Sequence, residues 1–167
     1  METTERFENY PLWIVGLSNF VSLAIYGLGL LIMLKADLLL SIPYLLYILV
    51  LELRLIKNHC TGCYYWGKTC GFGKGRISAL FFKKGDPSKF CNNSFTWKDM
   101  VPDLLVLLIP LVTGIILLIM DFNFLLLFAV LLLIFLTTSG NGFIRGKLTC
   151  RYCKQSELGC PAQKLFS

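Results

Sequence analysis

Four stretches of this chain are almost free of polar residues: Leu12 to Leu34, Leu38 to Ile56, Val101 to Met120 and Phe122 to Thr138. Each is close to the roughly 20 residues that a helix needs to cross the hydrocarbon of a bilayer. A helix packed inside a soluble protein keeps a polar face toward water, whereas LLVLLIPLVTGIILLIM and FLLLFAVLLLIFL have none. The breaks inside each pair are short, KAD (Lys35 to Asp37) and the residues around Asp121. The pattern therefore predicts an all-α integral membrane protein of four transmembrane helices, arranged as two tight hairpins joined by a long polar segment. Within that segment, GRISALFFKKGD (Gly75 to Asp86) sets Ile77, Leu80, Phe81 and Phe82 ahead of Lys83 and Lys84, as expected of an interfacial helix over 75–90. Pro43 and Pro110 are expected to kink their spans.

The two hairpins resemble each other. GLGLLIMLKADLLL, from Gly27, lies over GIILLIMDFNFLLL, from Gly114, and each half begins with a proline at the membrane entrance, Pro11 and Pro102. Each half also ends with a cysteine triad at one spacing: Cys60, Cys63 and Cys70 are followed 90 positions later by Cys150, Cys153 and Cys160. Apolar strings match by chance easily, but three cysteines at identical spacing do not. This predicts an internal repeat. The first copy covers 1–98 (hairpin 12–56, triad 60–70, interfacial segment 75–90) and the second 99–167 (hairpin 101–138, triad 150–160). Two spans per copy return the chain to its starting side, so the copies are parallel and related by a pseudo-two-fold axis along the membrane normal.

Composition agrees: 56% of residues are hydrophobic and the mean hydropathy is +0.67, beyond an ordinary soluble domain. Charge adds orientation. Of the 16 Lys and Arg, only Lys35 lies at a hairpin tip, so the positive-inside rule puts both termini and both triads in the cytoplasm. The net charge of +6 is then a topology signal that also predicts attraction of the basic central loop to anionic headgroups. No soluble basic domain is left to bind nucleic acid. The first span lacks a cleavage site and is expected to be retained. Tyr10, Trp13, Trp97 and the Tyr64, Tyr65, Trp66 cluster sit where interfacial aromatics are expected. Asn92 to Ser94 forms a glycosylation sequon that the cytoplasmic placement leaves unused.

The spans offer little chemistry. Glu52, Arg54, Asp103 and Asp121 lie toward span ends, where snorkelling or mutual pairing accounts for them. Asn19, Ser22 and Thr113 are expected to be helix-packing contacts. No carboxylate pair or Ser/His/Asp set is present, so hydrolytic or transfer catalysis has no candidate residues.

The triads offer more. GCYYWGKT, from Gly62, fits the phosphate-loop pattern GxxxxGK[ST]. The second copy, CRYCKQSELGC, keeps the cysteines and lacks the GKT, and a membrane span precedes the loop where a β-strand is required, so nucleotide binding is not expected. Cytoplasmic thiols are kept reduced, so the six cysteines Cys60, Cys63, Cys70, Cys150, Cys153 and Cys160 read as metal ligands or redox thiols. The two CxxC turns alone would complete one tetrahedral zinc site from Cys60, Cys63, Cys150 and Cys153. Cys91 falls outside the pattern and reads as an ordinary thiol. His59 reads as a surface histidine, because Thr149 stands at its place in the second copy.

The full pattern CxxCx6C, twice, as CTGCYYWGKTC and CRYCKQSELGC, resembles the binuclear zinc cluster of fungal transcription activators. That resemblance implies two zinc ions held by all six cysteines, with Cys60 and Cys150 bridging. It covers only these two stretches. The chain departs from the family in the 79 residues between Cys70 and Cys150, and it lacks the family's basic first half, so DNA recognition is not carried over.

An iron–sulfur cluster is the rival, and Pro161 after Cys160 is common beside cluster cysteines. Zinc is favoured on the spacing. Zinc would make the site a structural cysteine-rich knot fastening the hairpins, in a scaffold or subunit of a membrane assembly. Iron–sulfur would make the protein an electron-transfer subunit. Metal transport or sensing, and thiol redox chemistry, are further alternatives, and a protein partner or oligomer is expected for the scaffold.

Overall fold

A computed structural model of the chain describes residues 6–87, 97–158 and 160, with residues 97–100 described by their backbone. Cys91 and the sequon lie outside the described residues, as does the Trp97 side chain. Every regular element among the described residues is helical. The long helices are α1 (Leu12–Ala36), α2 (Leu38–Leu55), α4 (Trp97–Met120) and α5 (Phe124–Phe135), with the short α3 (Lys74–Phe81) between the pairs. Four stretches are long and apolar enough to cross a membrane: Leu12–Ala36, Leu38–Cys60, Val101–Met120 and Phe124–Tyr152. At most 33% of the most apolar window of any of them is buried inside the protein, so most of their side chains are at least partly exposed. Leu39, Ile119 and Phe124 are each at least 75% exposed, which water would penalise and lipid does not.

Both hairpin tips use the same device. The Asp37 carboxylate accepts from Leu39 N–H at 2.9 Å, and the Asn123 side-chain oxygen accepts from Leu125 N–H at 2.9 Å, so α2 and α5 each start on an Asx cap. The helices run on past their α-helical parts. π-helical turns cover Ile56–Cys60 after α2, and Leu136–Gly140 and Ile144–Thr149 after α5. Threonine hydroxyls bond back to carbonyls four residues earlier in these stretches, Thr61 to Lys57, Thr137 to Leu133, Thr138 to Ile134 and Thr149 to Arg145. Such back-bonding loosens the α ladder, and π turns accommodate it. The fourth helical run thus extends well past the expected end at Thr138. The two prolines expected at membrane entrances also differ: Pro11 directly precedes α1, whereas Pro102 lies inside α4.

The chain divides into two compact units, one drawn from Met1–Asn19, Leu53–Phe95 and Gly142–Ser167, the other from Phe20–Glu52 and Thr96–Asn141. The first unit therefore collects both cysteine triads. The second is a helical bundle whose core includes Met33, Tyr44 and Ile48, with Tyr26, Leu30, Val106 and Ile109 packed against them. Gly114 lets α4 approach closely, because a Cβ there would stand 2.7 Å from Val130 Cγ2. Several polar groups of this bundle are paired internally, as groups surrounded by lipid would have to be. Tyr26 donates to Glu52 at 2.6 Å, Tyr47 to the Pro102 carbonyl at 2.8 Å and Thr113 to the Ile109 carbonyl at 2.9 Å. Pro43 and Pro110 lie inside helices that continue through them.

Candidate metal centre

The first triad begins where α2's π turn ends at Cys60, and the second where the Ile144–Thr149 turn ends, with Cys150 opening a short 3₁₀ turn. The segments that follow are bonded directly to each other. Tyr64 N–H donates to Gln155 Oε1 at 2.6 Å, and Lys154 N–H donates to the Tyr65 hydroxyl at 3.1 Å. Cys63, Cys70 and Cys153 pack around one apolar cluster built on Tyr10, Ile14 and Tyr65. All six thiols are half-buried and none is in a disulfide.

Each second CxxC cysteine is cradled alike. The sulfur of Cys63 accepts the Tyr65 amide, and that of Cys153 accepts the Gln155 and Ser156 amides, donors that stabilise a thiolate. Burial and the neighbouring thiols act the other way and prevail in the absence of a cation. Burial pushes the Cys63 thiol up to about 12, with repulsion from Cys153, Cys70 and Cys60 adding to it. It pushes Cys153 up to about 11, with repulsion from Cys160 and Cys150. The thiols are therefore electrostatic neighbours across the two triads. Among the described residues, no three His, Cys, Asp or Glu side chains are grouped so as to hold an ion.

The strap that joins the two segments was not visible in the sequence. Residues Arg6 to Tyr10 lie along both triads, and each of the five makes a bond to one or both. Arg6 donates to Ser156 Oγ at 2.9 Å and pairs with Glu157 at 3.0 Å. Phe7 N–H donates to the Tyr152 carbonyl at 3.1 Å in a parallel bridge with Cys153, and its own carbonyl accepts from the Tyr65 hydroxyl at 2.6 Å. The Glu8 carboxylate binds Lys154, the Tyr64 hydroxyl and Lys68, which hold it from 4.5 down to about 2. Asn9 accepts from Thr69 N–H at 3.1 Å, and Tyr10 donates its hydroxyl to the Thr149 carbonyl at 2.5 Å. Only the tyrosines among these gave a sequence signal, and it pointed elsewhere. Expected at the membrane interface, Tyr10 and Tyr65 are instead 4% and 1% exposed, and burial pushes both phenols well above their ordinary range. Their hydroxyls are hydrogen-bonded inside the unit, as buried tyrosines require. Trp13, by contrast, is exposed, as an interfacial aromatic would be.

The GCYYWGKT loop is wound on itself. Its amides from Tyr64 to Thr69 go to Gln155, Cys63 Sγ, the Cys63 carbonyl, the Gly75 carbonyl, the Tyr65 carbonyl and Asn9, leaving no row of amides to face a phosphate. Lys68 Nζ is committed to Glu8 and to the Tyr64 hydroxyl. Two close approaches fix the loop's position. A Cβ on Gly75 would meet the carbonyls of Tyr65 and Lys68, the latter at 2.6 Å, and one on Gly71 would stand 2.7 Å from Thr149 Cγ2. Gly73, at φ +71°, closes a turn on the Cys70 carbonyl at 2.9 Å and starts α3. His59 occupies the π turn beside Cys60 and is half-buried.

No family model matches this chain, and neither the curated proteins nor the solved structures offer a match to it.

Proposed function

We propose that this chain is a small multi-pass membrane protein whose two triads form a joint metal-binding knot, zinc favoured, that fastens its hairpins and makes it a scaffold or subunit of a membrane assembly. The observation that carries the reading is the direct bonding of the two CxxC segments, Tyr64 to Gln155 and Tyr65 to Lys154, with Cys63 and Cys153 in one cluster. The donor chemistry fits. Six thiols of similar burial, with amide donors already on Cys63 and Cys153, suit a soft or borderline cation, whose charge would offset the burial and the thiol–thiol repulsion that raise Cys63 and Cys153. Cys60, Cys63, Cys150 and Cys153 would hold one ion, or all six, with Cys70 and Cys160 and with Cys60 and Cys150 bridging, would hold two.

A duplication is supported by the matched Asx caps at Asp37 and Asn123, by the π turns leading to Cys60 and Cys150, and by the matched amides on Cys63 and Cys153. Termini, central loop and triads face the cytoplasm, on the distribution of Lys and Arg. Lipid supplies no hydrophobic drive for the hairpins to associate, so metal bound by cysteines from both halves would contribute their association directly.

The test is metal content with an absorption spectrum, on detergent-purified protein prepared without oxygen. One or two zinc per chain and no visible absorption is the expected result, and the ratio separates the four-cysteine from the six-cysteine site. Iron with acid-labile sulfide would replace the structural reading with electron transfer. Protein free of metal after growth with zinc and iron supplied would overturn the metal reading.

A further inference from the structure

Helix α3 is built inside out for a protein surrounded by water. Its small residues Gly75 and Ser78 are the buried ones, Gly75 against the Tyr65 and Lys68 carbonyls, while Ile77, Leu80 and Phe81 point outward. Leu80 and Phe81 are 80% and 74% exposed. Positions 77, 80 and 81 share one helical face, and the exposed Arg76 lies beside it. Beyond the helix, the Trp66 indole bonds the Phe82 carbonyl and Gly85 N–H bonds the Thr61 carbonyl, so the exposed Lys83 and Lys84 are held between two fixed points.

The surroundings of α3 locate it at a membrane edge. It packs on Ile56–Cys60, the end of the second membrane-length stretch. The turn leading into it touches the first turns of α1, where Asn19 donates to the Phe72 carbonyl at 3.2 Å and Gly73 lies against Val15. We propose that the outer face of α3, Ile77, Leu80 and Phe81 with Arg76, Lys83 and Lys84 beside it, is a docking surface for the acidic phospholipid layer of the membrane in which the protein sits. The apolar side chains enter the acyl boundary and the cations meet the headgroup phosphates. The inference rests on the apolar helices lying in a bilayer and is independent of what the cysteines bind.

The experiment uses the full chain in nanodiscs of phosphatidylcholine, with or without phosphatidylserine, containing acyl-brominated lipid. An environment-sensitive fluorescent amino acid is placed at Leu80, at Leu131 in α5 as the membrane reference, or at Glu157 as the water reference. Quenching is expected at Leu80 and Leu131 but not at Glu157, with Leu80 quenched more when phosphatidylserine is present. Lys83→Gln with Lys84→Gln should shift the docked population by roughly fivefold per residue. Quenching at Leu131 without Leu80 would overturn the docking and leave the membrane reading standing. Quenching at neither position would overturn both. Quenching at Leu80 that ignores phosphatidylserine and the lysine variants would overturn the acidic-lipid assignment, and a blue-shifted but unquenched Leu80 probe would replace lipid by a protein partner or a second copy.

Discussion

The Tyr44 hydroxyl on α2 donates to the Val106 carbonyl on α4 at 2.9 Å, and Val106 lies four residues before Pro110. Proline has no N–H, so the carbonyl four residues earlier loses its helical partner, and in lipid no water replaces it. Tyr44 supplies that bond from a neighbouring helix. Gly29 makes the room, since a Cβ there would collide with the Tyr44 hydroxyl and stand 3.1 Å from its Cζ. Pro110, Tyr44 and Gly29 thus form one arrangement spread over three helices.

Tyr44→Phe should destabilise the folded protein by about 0.5–2 kcal/mol, within the range of hydrogen bonds between membrane helices. In a Pro110→Ala background the Val106 carbonyl regains its own helix's N–H, and the cost of Tyr44→Phe should shrink by at least half. Denaturant unfolding of the four proteins in mixed micelles measures the cycle. Strict additivity would show that Tyr44 serves something other than the proline.

The need for such a donor was legible in the sequence, because a proline inside LLVLLIPLVTGIILLIM must free a carbonyl; its identity was not, since Tyr44 is 62 positions away. The four membrane-length helices were legible for a related reason: lipid demands apolar residues on every side, and that leaves an unbroken mark. The strap left no such mark. Arg6 to Tyr10 bonds partners as distant as Ser156 and Glu157, several through backbone atoms that any sequence possesses. Tyr65 was misplaced because a Tyr-Tyr-Trp cluster beside a span has the composition of an interfacial belt, and composition does not distinguish a ring facing headgroups from one closing a core.

Gly75→Ala should damage the cysteine unit specifically. Its Cβ would overlap the backbone carbonyls of Tyr65 and Lys68, which no rotamer change can relieve, at a cost of about 1–3 kcal/mol. Faster alkylation of the six triad thiols, with detergent-resistant helicity retained, is the expected result. Unchanged thiol protection would mean that α3 can shift outward at little cost.

The Glu8 clamp sets a pH dependence. Lys154, then Tyr64 and Lys68, hold its carboxyl at about 2 in place of 4.5, so the folded state favours the ionised form. That contribution is fully present above pH 4.5 and is lost as the pH falls toward 2. Glu8→Gln should therefore loosen the strap at neutral pH, read as faster amide exchange at Phe7 and Lys154, and the difference from the parent should close across that acid window. A difference of the same size at both ends would assign the effect to packing.

Cys63→Ser should lower the metal bound per chain and expose the other triad thiols, because Cys63 neighbours Cys60, Cys70 and Cys153. Cys91→Ser, outside both triads, should leave stoichiometry and thiol protection unchanged. Equal losses from both variants would break the assignment of the ligands to the triads.

The strap also dictates an order of assembly. Arg6 to Tyr10 leave the ribosome well before the groups they bond, which include Thr149, Tyr152, Ser156 and Glu157, some 140 to 150 residues later. The helices consist of local contacts and can form as each segment is released, whereas this closure waits until Glu157 has been made. Until those residues are made, the first triad's loop lacks Gln155 and Lys154, and a chain halted before Thr149 can form neither these bonds nor the strap's bonds to the second triad.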